Sequence, residues 1–249
     1  MQDQGLVVVT GGSRGIGAAT VRVLAEAGYL PLFSYLEDEA SAIALVHDLA
    51  PQHLAAHAVQ ADVRSEASLQ ALFAAADRMA PLHALVNNAG ITGRLSRVDS
   101  MTEQTVQDVL NCNVTALFTA SRLAVQRLST RHGGRGGSIV NLSSGSARTG
   151  GTGDMVLYAT TKGAVDTFTM GLAKEVAAEG VRVNAVAPGM IDTEIHARAG
   201  RPDRLTTLLP SIPLGRAGTA DEVAQCVLWL ISDAASYVTG SILAVAGGR

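Results

Sequence analysis

The sequence predicts an α/β fold: a doubly wound parallel sheet of seven strands with helices on both faces. Three observations carry that prediction. Short apolar runs rich in β-branched residues alternate with longer stretches whose apolar residues recur at helical spacing. The runs are continuously apolar, as strands covered on both faces are. No repeat, low-complexity block or linker breaks the pattern, so residues 1–249 read as one domain.

Taken in order, residues 6–10 form the first strand and run directly into a glycine-rich turn and a helix over 18–27. The second strand spans 30–35; Pro31 falls near its start, where a missing N–H does least harm. A helix over 40–49 leads to a strand at 55–60, and a helix over 68–79 to a strand at 84–87. One long helix is expected over 105–128, then a strand at 137–142, a helix over 158–178 and a strand at 182–186. Residues 189–218 carry prolines and glycines with little periodicity, which marks a binding loop or lid. A helix over 221–231 and a strand at 242–245 close the chain.

Composition narrows the function classes. Hydrophobic residues make up 47% and charged residues 16%, the balance of a folded, soluble protein. A formal charge of -3 gives no reason to expect nucleic acid or an anionic membrane as partner. Cys112 and Cys226 fit no close-spaced metal pattern, so reduced thiols and no metal are expected. The first apolar run, 6–9, is too short to span a bilayer and follows no basic leader, so cytoplasmic residence is the default.

The first strand ends in Thr10-Gly11-Gly12-Ser13-Arg14-Gly15-Ile16-Gly17. Glycines at 11, 15 and 17 allow a sharp turn and a close backbone approach to a pyrophosphate, and the following helix presents its N-terminal N–H groups. An enzyme preferring NAD places an acid at the end of the second strand, about 20 residues past the glycines. Here that place holds Ser34 and Tyr35, which do not repel a 2′-phosphate, and Arg14 could pair with one. NADP(H) is therefore favoured. Glu37, Asp38 and Glu39 follow at once, and NAD(H) stays open.

The chain has two lysines, Lys162 and Lys174, against seventeen arginines. Where Arg is so dominant, a retained Lys suggests a need for a compact ammonium. Lys162 lies four residues after Tyr158, which sets the two on one helix face. An ammonium beside a phenol favours the phenolate, making Tyr158 a candidate proton donor and acceptor.

With the glycine turn and Tyr158-x-x-x-Lys162 in hand, the chain resembles the short-chain dehydrogenase/reductase family over essentially its whole length. Further motifs follow in order: Asp62-Val63, Asn87-Asn88-Ala89-Gly90, Asn113-Val114, Ser143-Ser144 and Pro188-Gly189. The resemblance implies a Rossmann fold and a nicotinamide-dependent oxidoreductase acting on a small carbonyl or alcohol. It implies a catalytic set of Asn113, Ser144, Tyr158 and Lys162, with Ser144 preferred to Ser143 as the second of the pair. Gly11, Ser13, Arg14, Gly15, Ile16, Gly17, Ser34 and Tyr35 would hold the nucleotide end of the cofactor. Asp62 and Val63 would flank the adenine, Asn88, Ala89 and Gly90 would line the cleft, and Pro188, Gly189, Ile191 and Thr193 would reach the nicotinamide end. Tyr158 and Lys162 would also touch the cofactor. Relatives often carry an acid where this chain has Ala246, which bears on a C-terminal interface contact.

Asn113 is expected to hold a water that relays protons to Lys162. Met155, Val156, Leu157, Met190 and Ile195 suggest a fairly apolar substrate pocket, with His196 in the lid. A 3-oxoacyl carrier-protein reductase is an alternative, and Arg127, Arg131, Arg135 and Lys174 could then meet an acidic carrier. A non-enzymatic NADP(H)-binding sensor is the alternative from another class. The helices at 105–128 and 158–178 carry apolar residues around much of their circumference. That character, and the habit of relatives, predicts a homotetramer.

Overall fold

The computed structural model describes residues 5–151, 153–194, 200–201 and 203–249. Seven parallel strands form one sheet: β1 (Leu6–Val9), β2 (Leu30–Tyr35), β3 (His57–Gln60), β4 (Leu82–Asn87), β5 (Gly137–Leu142), β6 (Val181–Pro188) and β7 (Ile242–Val245). Their order is β3-β2-β1-β4-β5-β6-β7. The chain winds outwards in opposite directions from β1 and β4, so a crevice opens past the carboxyl ends of those two strands.

Successive side chains of a strand point to opposite faces, and here each face has its own core. Val7, Val9, Val86 and Val140 pack with Val21 and Leu24 of α1 (Gly15–Glu26). Val227 and Leu230 of a late helix join the same cluster. Leu6, Val8, Leu85 and Ile139 pack on the other face with Leu69, Leu72 and Phe73 of α3 (Glu66–Asp77). All four residues of β1 are fully buried, which is why the strand reads as an unbroken apolar run. Between β2 and β3 lies α2 (Glu39–Leu49).

Several boundaries differ from expectation, and one difference matters for function. The single helix expected over 105–128 is three pieces: α4 (Glu103–Leu110), a π-helical turn (Asn111–Thr115) and α5 (Ala116–Leu128). A π turn adds a residue to the helical repeat and re-aims the side chains within it. Asn113, in the middle of that turn, is buried.

After β5 come α6 (Ser146–Thr149) and α7 (Val156–Val176). Because α7 starts two residues ahead of Tyr158, that tyrosine stands in its first turn. α1 begins at Gly15, so the last two motif glycines belong to the helix rather than to a loop before it. Pro31 lies in an interior strand, yet β3 pairs with β2 only from Leu32 onward, so no β3 residue stands opposite it.

The irregular segment after β6 has a closed base. Ile191 bridges Gly218, with hydrogen bonds from Gly218 N–H to the Met190 carbonyl and from Asp192 N–H to the Gly218 carbonyl, each 2.9 Å. Within it lies α8 (Arg204–Leu208), and Leu214 N–H donates to the Gly247 carbonyl at 3.1 Å. Ile195 and His196 lie outside the described residues. α9 (Ala220–Ile231) follows, started by a capping box between Thr219 and Glu222.

Candidate active site

The glycine turn is built by its neighbours. Gly11 N–H donates to Ser34 Oγ at 3.0 Å and Gly12 N–H to the Ser34 carbonyl at 2.8 Å, which pins the turn onto β2. Ser34 is therefore buried under the turn, with its hydroxyl engaged there. Asn88 donates its amide to the carbonyls of Thr10 (2.9 Å) and Gly11 (2.8 Å). Thr10 Oγ1 in turn accepts from the N–H groups of Asn88 and Ala89 at 3.0 and 3.1 Å. The end of β4 and the turn thus form one hydrogen-bonded ledge, in which Asn88 is a strut.

A Cβ at Gly17 would overlap the Gly11 carbonyl oxygen, so only glycine lets α1 close so tightly on the turn. α1 has no side-chain cap and no acid in its first turn, unlike α2, α3 and α4, which are capped by Asp38, Ser65 and Thr102. Its uncapped first N–H groups suit a phosphate anion. Across the turn, a Cβ on Gly15 would stand 3.7 Å from the Thr193 methyl, so Thr193 bounds this cleft from the β6 side. Bare backbone and an uncapped helix start fit a dinucleotide pyrophosphate.

At the ribose end, β2 does end at Tyr35, so Glu37 lies past the strand and is exposed. Asp38 is the acid that matters. Its Oδ2 lies 3.7 Å from Arg14 Nη1, while its Oδ1 accepts from Ser41 N–H at 3.1 Å as the cap of α2. The Tyr35 hydroxyl donates to Glu39 at 3.3 Å. Asp62 is held by Arg64 through contacts of 2.7–3.1 Å, and that hydrogen-bonded guanidinium holds its carboxyl below the usual range. Ser65, not Asp62, caps α3.

Lys162 is 5% exposed, and its Nζ donates to the Leu142 carbonyl at 2.5 Å. The same nitrogen lies 5.6 Å from the centre of the Tyr158 ring. Burial lowers its pKa to about 8, against the opposing pull of Cys112 and Asp166. Asn113 reaches across from the π turn. Its Oδ1 accepts from Ile91 N–H at 2.8 Å, and its Nδ2 donates to the Ile91 carbonyl at 2.8 Å and to Thr161 Oγ1 at 3.0 Å. Gly90 fits beside this set; a Cβ there would stand 3.3 Å from Asn113 Oδ1 and 3.6 Å from Lys162 Nζ. A small cavity is lined by Thr10, Asn87, Asn113 and Lys162 and otherwise by mostly apolar residues such as Val63 and Leu117.

The two serines ending β5 differ in exposure. Ser143 is buried and donates to Asp166 Oδ1, whereas Ser144 is partly exposed, its Oγ accepting from Ser146 N–H at 3.1 Å. Accepting leaves the Ser144 proton available to donate. Gly145 N–H ties the same corner to the Pro188 carbonyl, and Gly189 N–H ties to the Val245 carbonyl, each at 2.9 Å. Ile191, Met190 and Met155 are buried in the fold itself. Asp154 receives Arg201 at 3.4 Å, and its carbonyl accepts from Ser96 N–H at 3.1 Å, which joins three loops near the start of α7.

Residues 11–249 match the family model described as enoyl-(acyl carrier protein) reductase. The chain belongs to the short-chain dehydrogenase/reductase family. It is 46% identical to the uncharacterized oxidoreductase YgfF of Escherichia coli (strain K12), over 98% of this chain and 99% of that one. It is 38% identical to the 3-oxoacyl-[acyl-carrier-protein] reductase FabG of Aquifex aeolicus, over 97% and 95%. Among solved structures, a blue fluorescent protein from a metagenomic library in complex with NADPH superposes with a TM-score of 0.89. That protein is 35% identical, over 99% of this chain and 98% of its own. The protein is an NAD(P)-dependent oxidoreductase of this family.

Sequence reasoning gave no role to Thr161 or Thr10, and named Asp38 only as one of three acids that leave NAD(H) open. Thr161 links Asn113 to α7, and its hydroxyl also donates to the Tyr158 carbonyl at 2.8 Å. Thr10 orders the ledge, and Asp38 answers Arg14. Position gave a hint for two of them: Thr161 adjoins Lys162, and Thr10 opens the glycine turn. The carrier-binding patch fares differently. Arg127 is paired with Asp77 at 2.7 Å and lies over the Phe73 ring, and Arg131 faces Glu179 at 3.8 Å. Among the described residues, no helix is long and apolar enough to cross a membrane.

Proposed function

We propose that the protein moves a hydride between NADP(H) and a small carbonyl or secondary alcohol, with Tyr158 as general acid and base. The observation that carries this reading is the buried Lys162 ammonium, backed onto the Leu142 carbonyl and 5.6 Å from the centre of the Tyr158 ring. Nicotinamide supplies the hydride chemistry; the chain supplies orientation, proton transfer and exclusion of water. In the reducing direction, Ser144 Oγ–H orients the substrate oxygen. Tyr158 gives that oxygen its proton, and the nearby positive charge of Lys162 favours the phenolate left behind. Oxidation reverses these steps.

Asn113 acts here as a brace. Its amide is bonded at both ends to Ile91 and to Thr161, and the proton relay to Lys162 would use water in the adjoining cavity. Arg14 would take the 2′-phosphate, which favours NADP(H) over NAD(H), and Asp38 is its competitor. We read residues 1–249 as one catalytic domain with 189–218 as its lid. The bridge between Ile191 and Gly218 closes the base of that segment. Limited proteolysis should show the lid protected by cofactor plus substrate; equal cleavage with and without them would remove it from the account.

A second reading, reduction of a 3-oxoacyl thioester, is favoured by the likeness to FabG and to acetoacetyl-CoA reductases at 36% identity. The engagement of Arg127 and Arg131 weighs against a protein carrier docking there. A panel of small ketones, sugar-derived carbonyls and 3-oxoacyl thioesters, followed by nicotinamide absorbance with NADPH and NADH, separates the readings. Phe118 and Met170 are exposed apolar residues on α5 and α7, which supports pairing of those helices in a homotetramer; sedimentation tests it.

A further inference from the structure

Behind Lys162 lies a ring of contacts, of which the proposed chemistry uses only the one to Leu142. Lys162 Nζ donates to the carbonyl of Leu142, the last residue of β5. The next residue, Ser143, donates its hydroxyl to Asp166, and its Oγ lies 3.4 Å from the Lys162 carbonyl. Asp166 is one helical turn beyond Lys162, on the same face of α7. Two consecutive residues of the strand end are thus fastened to two residues one turn apart on the helix. Ser144 follows immediately from that fastening.

We propose that Asp166 is a positioning residue: held by Ser143, its carboxylate keeps the Lys162 ammonium charged and fixed against Leu142. The inference rests on the roles given above to Tyr158 and Lys162. The other groups facing this ammonium are few. Tyr158 stands on the same helix, and Cys112 comes from the π turn. Burial pushes the Cys112 thiol up, so at neutral pH it is uncharged, with Lys162, Arg64 and Asp62 as its own charged neighbours. The Asp166 carboxyl is raised by burial, while the Ser143 hydrogen bond, Lys162 and Arg148 of α6 favour its ionised form. Asp166 is thus the carboxylate on the same helix face whose charge opposes the effect of burial on Lys162. Arg148 is exposed, on a different element.

The scarcity of lysine makes a direct test possible. Protein labelled with ¹³Cε-lysine has two lysine side-chain signals, Lys162 and Lys174, and Lys174→Arg assigns them. Asp166→Asn keeps an acceptor for Ser143 but removes the charge. The Lys162 titration should then fall by about one pH unit, the size of effect expected from a close opposite charge. The alkaline limb of kcat should move down with it, while KM for NADPH stays. Ser143→Ala, which loosens the carboxylate without removing it, should give a smaller shift in the same direction and carries the test if the Asn variant does not fold. A Lys162 titration unmoved in both variants would overturn the proposal. Retained turnover in Tyr158→Phe would instead overturn the catalytic reading, since the lysine titration is read without turnover.

Discussion

Arg14 and Lys162 are both cations at the carboxyl edge of the same sheet, and they are held in opposite ways. Arg14 keeps nearly half of its side chain in solvent and meets one carboxylate, Asp38, at 3.7 Å. Lys162 is buried, donates to Leu142 at 2.5 Å and titrates near pH 8. An exposed guanidinium is always charged and can exchange one anion for another. A buried ammonium near its titration point has a charge that its neighbours control. Under the proposed function the contrast separates recognition from chemistry: the first is placed where a partner can be swapped, the second where a proton can be counted.

The largest break in the comparison comes from Tyr158→Phe. Removing one oxygen should lower kcat by about a thousandfold, the range for loss of a general acid, and leave NADPH affinity within about twofold. Stopped-flow turnover and fluorescence titration read the two quantities. Arg14→Ala should do the converse, weakening NADPH by roughly tenfold or more, as loss of a charge-assisted contact does, with little change for NADH. Equal losses for both cofactors would show that Arg14 does not meet the 2′-phosphate.

Acidity sharpens the Lys162 side. Its folded pKa lies below its unfolded value of 10.5, at about 8. If the ammonium is needed, turnover falls about tenfold per pH unit above that point. Stability should move the other way: between pH 8 and 10.5 the unfolded chain binds this proton and the folded chain does not, so this group's contribution rises with pH. Chemical denaturation across that window checks the sign. The smallest effect belongs to Asp38→Asn. Asn can still cap α2, and removing one exposed ion pair should tighten NADPH by no more than about fivefold. Weaker NADPH binding in that variant would mean that Asp38 does not compete for Arg14.

Much of this was legible in the sequence where backbone chemistry dictates residue type. The second strand ends at Tyr35 and the first runs into a glycine turn as pattern placed them, although Gly15 and Gly17 already belong to α1, because an all-apolar strand and a tight βα turn leave few alternatives. The π turn at Asn111–Thr115 was not legible. Apolar residues on both sides of it keep helical spacing, and the extra residue shows only as a change in where Asn113 points. Ser34 illustrates a second limit: position in the chain put it near the cofactor, but its hydroxyl faces Gly11 N–H. Asp38 illustrates a third. Three acids follow Tyr35, and only the turn into α2 decides which of them meets Arg14.

Parallel measurement of NADPH dissociation constant and saturating turnover in Tyr158→Phe and Arg14→Ala tests the central claim most directly. The account predicts a crossing: Tyr158→Phe loses turnover with affinity intact, and Arg14→Ala loses NADPH affinity with saturating turnover intact. Loss of both quantities together in both variants would contradict it.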